Sequence, residues 1–200
     1  MKHVTWLAMF FGVLLNSAAV HAQQQSAEAL QAAQREQLMP LKMMDGIWRG
    51  TAWTILPSGK KVEMIQTERV GSMLDGAVKV IEGKGYDSEG AVVFNAFASI
   101  AYDATKKELM MRSYAQGRVG DFAVKPNEKG FSWEIPAGPA TIRYVAEIAD
   151  GKWLEYGERV VPNRDPVRFF EMTLSRVGDT EWPASDSVPM EDKTDGRSKQ

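Results

Sequence analysis

The feature that most constrains this chain is a train of short alternating segments, each closed by a turn signal, between Gly46 and Val177. Alternation with a period of two marks strands with one buried face, whereas an amphipathic helix repeats its apolar residues every three or four positions. The segments are 46–55, 61–70, 77–86, 92–102, 108–114, 122–125, 131–135, 141–148, 153–161 and 167–177. Between them stand Pro57-Ser58-Gly59-Lys60, Asp87-Ser88-Glu89-Gly90, Asn127-Glu128-Lys129-Gly130 and Asp150-Gly151. The last of these is the strongest two-residue hairpin signal in the chain. With no helical pattern intervening, the train predicts an all-β fold, an antiparallel barrel of about 8–10 strands, and argues against a parallel βαβ sheet.

The two ends have a different texture. Lys2, an apolar run from Val4 to Leu15, and a small-residue stretch ending Val20-His21-Ala22 have the layout of a cleavable export signal over residues 1–22. The run is shorter than the ~20 residues a membrane span needs, so no membrane anchor is expected after cleavage. Residues 23–44 form a helical lead-in: Ala, Gln and Glu dominate, Leu30, Ala33 and Leu38 share helical spacing, and Pro40 interrupts. Such a helix either closes the mouth of the barrel or stands in solvent. After the barrel domain at 45–178, residues 179–200 turn polar, acidic and aperiodic, which predicts a disordered tail.

Composition excludes several chemistries. A net charge of −2 without a basic block gives no footprint for nucleic acid. The chain has no cysteine, and its two histidines, His3 and His21, precede the expected cleavage point. An exported form beginning at Gln23 therefore lacks the ligands for His- or Cys-bound zinc or haem, and lacks a catalytic triad histidine, a catalytic thiol and a disulfide. No metal or other cofactor is expected.

The alternation assigns faces. Ile142, Tyr144, Ala146 and Ile148 share one, Phe170, Met172 and Leu174 another, and Phe131, Trp133 and Ile135 a third, all expected to point inward. Four charged residues fall on faces that the same alternation turns inward: Glu68, Glu82, Arg112 and Glu155. A buried charge needs a partner, so these residues either form internal ion pairs or orient a ligand's polar group. With Tyr114 and the aromatics Trp48, Trp133 and Tyr144 they form the candidate ligand-binding set, the rings serving as pocket wall or as core. No catalytic residue is assigned.

Gly46-Ile47-Trp48-Arg49-Gly50 resembles the opening Gly-x-Trp of the calycin superfamily, which includes lipocalins and fatty-acid-binding proteins. A wider set extends the likeness: Gln66-Thr67-Glu68-Arg69-Val70, Leu74-Asp75-Gly76, Ile81-Glu82-Gly83-Lys84-Gly85-Tyr86, Ala101-Tyr102-Asp103, Met111-Arg112-Ser113-Tyr114, Trp153-Leu154-Glu155 and Phe169-Phe170-Glu171-Met172. Together these resemble the bacterial domain-of-unknown-function family 1579, held to be lipocalin-like. The resemblance spans Leu41 to Val177 and implies a barrel with an internal cavity; it brings no catalytic residues.

The expected function is that of an exported, periplasmic or secreted, cofactor-free barrel binding a small, largely apolar ligand. Two others compete: an isomerase, lyase or cyclase using Glu and Arg acid–base chemistry in the cavity, and an envelope interaction protein with a filled barrel.

Overall fold

The computed structural model describes residues 27–180 and 182. The expected export signal and most of the expected tail lie outside the described residues. Ten strands form one closed antiparallel barrel: β1 (Gly46–Ile55), β2 (Lys61–Met73), β3 (Val78–Tyr86), β4 (Val92–Asp103), β5 (Glu108–Ala115), β6 (Arg118–Asn127), β7 (Gly130–Ala137), β8 (Ala140–Ala149), β9 (Lys152–Val160) and β10 (Val167–Gly178). Each strand pairs with its neighbours in sequence, and β1 closes the ring on β10. Asp150 and Gly151 both take positive φ, 51° and 69°, as a tight hairpin with the twist of its strands requires.

The Gly46–Gly50 stretch sits where the barrel closes. Trp48 is 1% exposed and its indole N–H donates to the Met44 carbonyl at 2.8 Å. At Gly50 a β-carbon would run into the Thr173 carbonyl of β10, so only glycine allows the two backbones to approach this closely.

One end of the barrel is sealed. Helix α1 (residues 27–38) is largely exposed, but the 3-10 turn that follows it, Met39–Met44, tucks Leu41 and Met44 fully into the core and packs against β6, β7 and β8. Pro40 fits there because the first turn of a helix leaves its N–H groups unpaired anyway. Burying Leu41 and Met44 contributes roughly 1.5–3 kcal/mol each. Of the two roles open to the helix it takes the exposed one, and the turn after it is the plug. Around the plug, Val70, Ile100, Leu109, Val124, Phe131, Ile148, Trp153 and Leu174 are buried.

The other end is open. Inward-facing Met64, Phe94, Ala96, Phe122, Trp133, Ile142, Tyr144 and Phe170 keep intermediate exposure there. The wall also splits: the ladder between β6 and β7 joins only Val124–Asn127 to Gly130–Trp133. Pro126 lies within that short ladder and has no N–H to give it. Beyond Val124 and Trp133, toward the open end, β6 bonds only to β5 and β7 only to β8.

Two polar features complete the sealed half. Lys79 points inward, only 2% exposed, and its ammonium is bound by Asp45. Outside the barrel, Thr180 Oγ1 donates to the Val70 carbonyl at 2.6 Å, and the Trp182 ring packs on Gly71 with the Arg69 guanidinium 4.2 Å from its centroid.

Candidate functional site

Between the sealed and open halves lies a belt of polar groups facing inward. On β2, alternation turns Met64, Gln66, Glu68 and Val70 to the lumen, opposite Gly85, Gly83 and Ile81 of β3. Gln66 is 3% and Glu68 8% exposed, and the Gln66 amide donates to Glu68 Oε1 at 2.7 Å. Gly83 leaves the recess in which the Glu68 carboxyl lies. Across the belt, Glu155 of β9 is also 8% exposed and takes a 3.2 Å hydrogen bond from the Trp153 indole.

Neither carboxyl behaves as an ordinary surface acid. Burial pushes Glu68 up to about 8; the Gln66 hydrogen bond opposes this, and the charges of Glu155 and Glu82 add to it. Burial pushes Glu155 up to about 7 against hydrogen bonds from Trp133 and Trp153. These donors are neutral, so they offset only part of the desolvation. Tyr144 is raised to about 12 by burial and by the nearby Glu155 charge, and keeps its proton.

Toward the open end the lumen is walled by rings. Trp133 and Tyr144 face each other across β7 and β8 and stack at 4.3 Å, 7° from parallel. Phe122 tilts against Trp133 at 5.3 Å, and Phe170 meets Tyr144 edge-on at 6.0 Å. Deeper in, Trp48 and Trp153 pack edge to face at 5.6 Å and belong to the core. Apolar ring surface thus lies next to groups that accept hydrogen bonds and, when protonated, also donate them.

The structure thus brings together five of the eight candidate residues: Trp48, Glu68, Trp133, Tyr144 and Glu155. It corrects the other three. Arg112 and Tyr114 face outward from β5, where Arg112 forms a 3.0 Å ion pair with Asp121 of β6 and donates to the Tyr114 hydroxyl. Glu82 faces outward from β3 and pairs with Lys84 at 2.7 Å. The reason is that β5 and β3 carry apolar residues on both faces. On β5 Leu109 and Met111 take the inward positions; on β3 Lys79, Ile81 and Gly83 do, which turns Arg112, Tyr114 and Glu82 to solvent. Glu82 and Tyr114 instead line an external groove of about 470 Å³, together with Phe97, Val119 and the tip of the β5–β6 hairpin.

Three members of the belt were missing from the candidate set: Gln66, Gly83 and Trp153. Their signals were present. Gln66 stands two positions before Glu68, which on a strand means the same face. Gly83 and Gly85 alternate within a strand, a mark of close approach by another group. Among the described residues no three of His, Cys, Asp and Glu gather in a metal-binding arrangement.

The sequence matches no protein-family model and no curated protein. Solved structures do match. The crystal structure of Rv2717c from M. tuberculosis aligns with 70% of this chain and 96% of its own, with a TM-score of 0.53 and 9% identity. The likeness is one of fold.

Proposed function

We propose that the protein is an exported, cofactor-free, calycin-like barrel that binds a small, largely apolar molecule in its open half, the belt of Gln66, Glu68 and Glu155 meeting the ligand's polar group. The observation that carries this reading is the one-sided lumen. Its rings, Trp133 and Tyr144 above all, stay partly exposed at the open end, above a polar floor and a sealed base. Ligand pockets have this composition, apolar walls with a few convergent polar groups. The unpaired stretch between β6 and β7 supports a side route of entry past the Phe122 and Trp133 rings. Assignment to domain-of-unknown-function family 1579 rests on the Gly46–Gly50, Ile81–Tyr86 and Met111–Tyr114 motifs. Export rests on the pattern of residues 1–22.

The test is fluorescence titration with N-phenyl-1-naphthylamine, a neutral apolar probe, alongside native mass spectrometry of protein purified from its host's envelope. One saturable site that quenches tryptophan and is weakened by Trp133→Ala supports the reading. No saturable binding, with no retained ligand in the mass spectrum, overturns it.

A second reading has a specific observation in its favour. Glu68 and Glu155 are raised to near neutrality in one lumen, where each can act as acid or base. A cofactor-free isomerase, lyase or cyclase would use such a pair, and Glu68→Gln would then abolish turnover while leaving binding in place.

A further inference from the structure

The charge of the ligand can be read from what the lumen lacks. Glu68 and Glu155 are each more than nine-tenths buried. The groups acting on Glu68 are Gln66, Glu155 and Glu82, and those opposing burial at Glu155 are Trp133 and Trp153; no cation is among them. The cationic side chains at other inward positions are engaged or distant. Lys79 is bound by Asp45 at the sealed end, Arg176 by Asp179 and the Asp45 carbonyl, and Arg159 stands exposed at the open rim. Gln66, a neutral donor, bonds to Oε1 of Glu68. Two carboxyls buried in one lumen without a counter-ion among the described residues are costly, and a ligand that brings the counter-ion relieves the cost. Next to them the aromatic wall of Phe122, Trp133, Tyr144 and Phe170 supplies apolar surface for the body of such a ligand.

We propose that the lumen takes an organic ammonium ion, an amine with an apolar or aromatic body, its charge met by Glu68 and Glu155 and its body lying against the Trp133–Tyr144 wall. The proposal rests on the lumen being the binding site. In the empty barrel, burial keeps Glu68 largely protonated and Glu155 about half protonated near pH 7. The arriving ammonium keeps its own protons and stabilises the carboxylates, so the carboxyl protons pass to solvent. Binding therefore releases protons, which neither a neutral nor an anionic ligand would cause. The residues facing the pair from the surrounding strands are Trp48 of β1, Gly83 of β3, Trp133 of β7, Tyr144 of β8 and Met172 of β10, with the Glu82 charge reaching Glu68 from the outer face of β3. Of these only Tyr144 and Glu82 carry ionisable side chains. Tyr144 holds its proton and Glu82 is paired with Lys84 on the outside, so the released protons come from Glu68 and Glu155.

The experiment is isothermal titration calorimetry of the full chain at pH 7 with three probes of matched shape: 2-phenylethylamine, 2-phenylethanol and phenylacetate. Repeating it in buffers of different ionisation enthalpy counts the protons released. The amine is expected to bind at least about tenfold more tightly than the alcohol, with proton release, and phenylacetate more weakly than either. Glu68→Gln with Glu155→Gln keeps the shape of the neutral carboxyls; this variant should lose both the preference for the amine over the alcohol and the proton release. If the alcohol matches the amine, or the amine advantage survives in the double variant, the ammonium proposal falls and the lumen reading stands. If N-phenyl-1-naphthylamine binds and the amine does not, the ammonium proposal again falls alone. If no probe binds, both fall.

Discussion

The carboxyl of Glu68 occupies the space that a side chain on Gly83 would need: a β-carbon built there stands 2.7 Å from Oε1 and 2.8 Å from Oε2. Strand β3 yields this space to β2, which lets an acid of the wall lie flat beside Gln66. Gly83→Ala should push Glu68 off Gln66 and destabilise the barrel by about 1–3 kcal/mol, the usual range for overpacking. Combining it with Glu68→Ala should recover part of that loss, since the clash is then gone. Denaturant titration of the two single variants and the double variant measures the coupling; strictly additive losses would mean that the two positions do not compete for space.

Stability should fall as pH rises through neutrality. Glu68 goes from an ordinary 4.5 when unfolded to about 8 when folded, and Glu155 from 4.5 to about 7. Between those values the folded chain holds protons that the unfolded chain has released, so the unfolding free energy decreases with pH and levels off above about 8. Glu68→Gln removes its share of this slope. The variant should match the parent near pH 5 and exceed it by roughly 2–5 kcal/mol at pH 9. Parallel pH profiles for the two proteins would contradict this.

Arg112→Met should leave the unfolding midpoint unchanged at acid, neutral and alkaline pH. Its pair with Asp121 has both side chains more than half exposed, and exposed pairs are screened by water and salt. A pH-dependent loss in this variant would mean that Arg112 serves a buried carboxylate.

Removing the chain from Asp179 onward should destabilise the barrel by about 1–3 kcal/mol. The cut deletes the Thr180 hydrogen bond to Val70 and the contact of Trp182 with Gly71 and Arg69. Trp182→Ala alone should reproduce most of the loss in melting temperature. A truncated form that melts with the parent would show that this contact adds nothing.

Bridging β6 to β7 should slow ligand entry. The chain has no cysteine, so Ala123→Cys with Glu134→Cys, the next pair beyond the Val124–Trp133 end of the ladder, can be joined by a short thiol crosslinker. Stopped-flow binding of N-phenyl-1-naphthylamine should slow on crosslinking, with a smaller change in affinity. An unchanged association rate would assign entry to the open end alone.

Much of the architecture was legible in one dimension. All ten strands, the Asp150-Gly151 hairpin and the inward set Phe131, Trp133, Tyr144, Ala146, Phe170, Met172 and Leu174 follow from turn chemistry and from strands with one apolar face. The boundaries of β6 were less so: the pattern marked 122–125, whereas the strand runs Arg118–Asn127, because Gly117–Gly120 resembles a loop until β5 pairs with it. Glu68 and Glu155 were likewise marked by charge on an otherwise inward face.

Which residues share a face follows from the chain alone, because a strand's side chains alternate whatever surrounds it. Which face is inside was decided locally only where the two faces differ in polarity. On β5, Met110 and Tyr114 balance Leu109 and Met111, and on β3, Val78 and Val80 balance Ile81, so alternation could not choose between them. Closure chose. Pairing β5 to β4 and β3 to β2 sets Met111 opposite Ile100 and Gly83 opposite Glu68, and a ring of hydrogen bonds admits only one consistent inside. That global condition put Arg112, Tyr114 and Glu82 on the outer wall, and it set the two uncompensated carboxyls in one lumen.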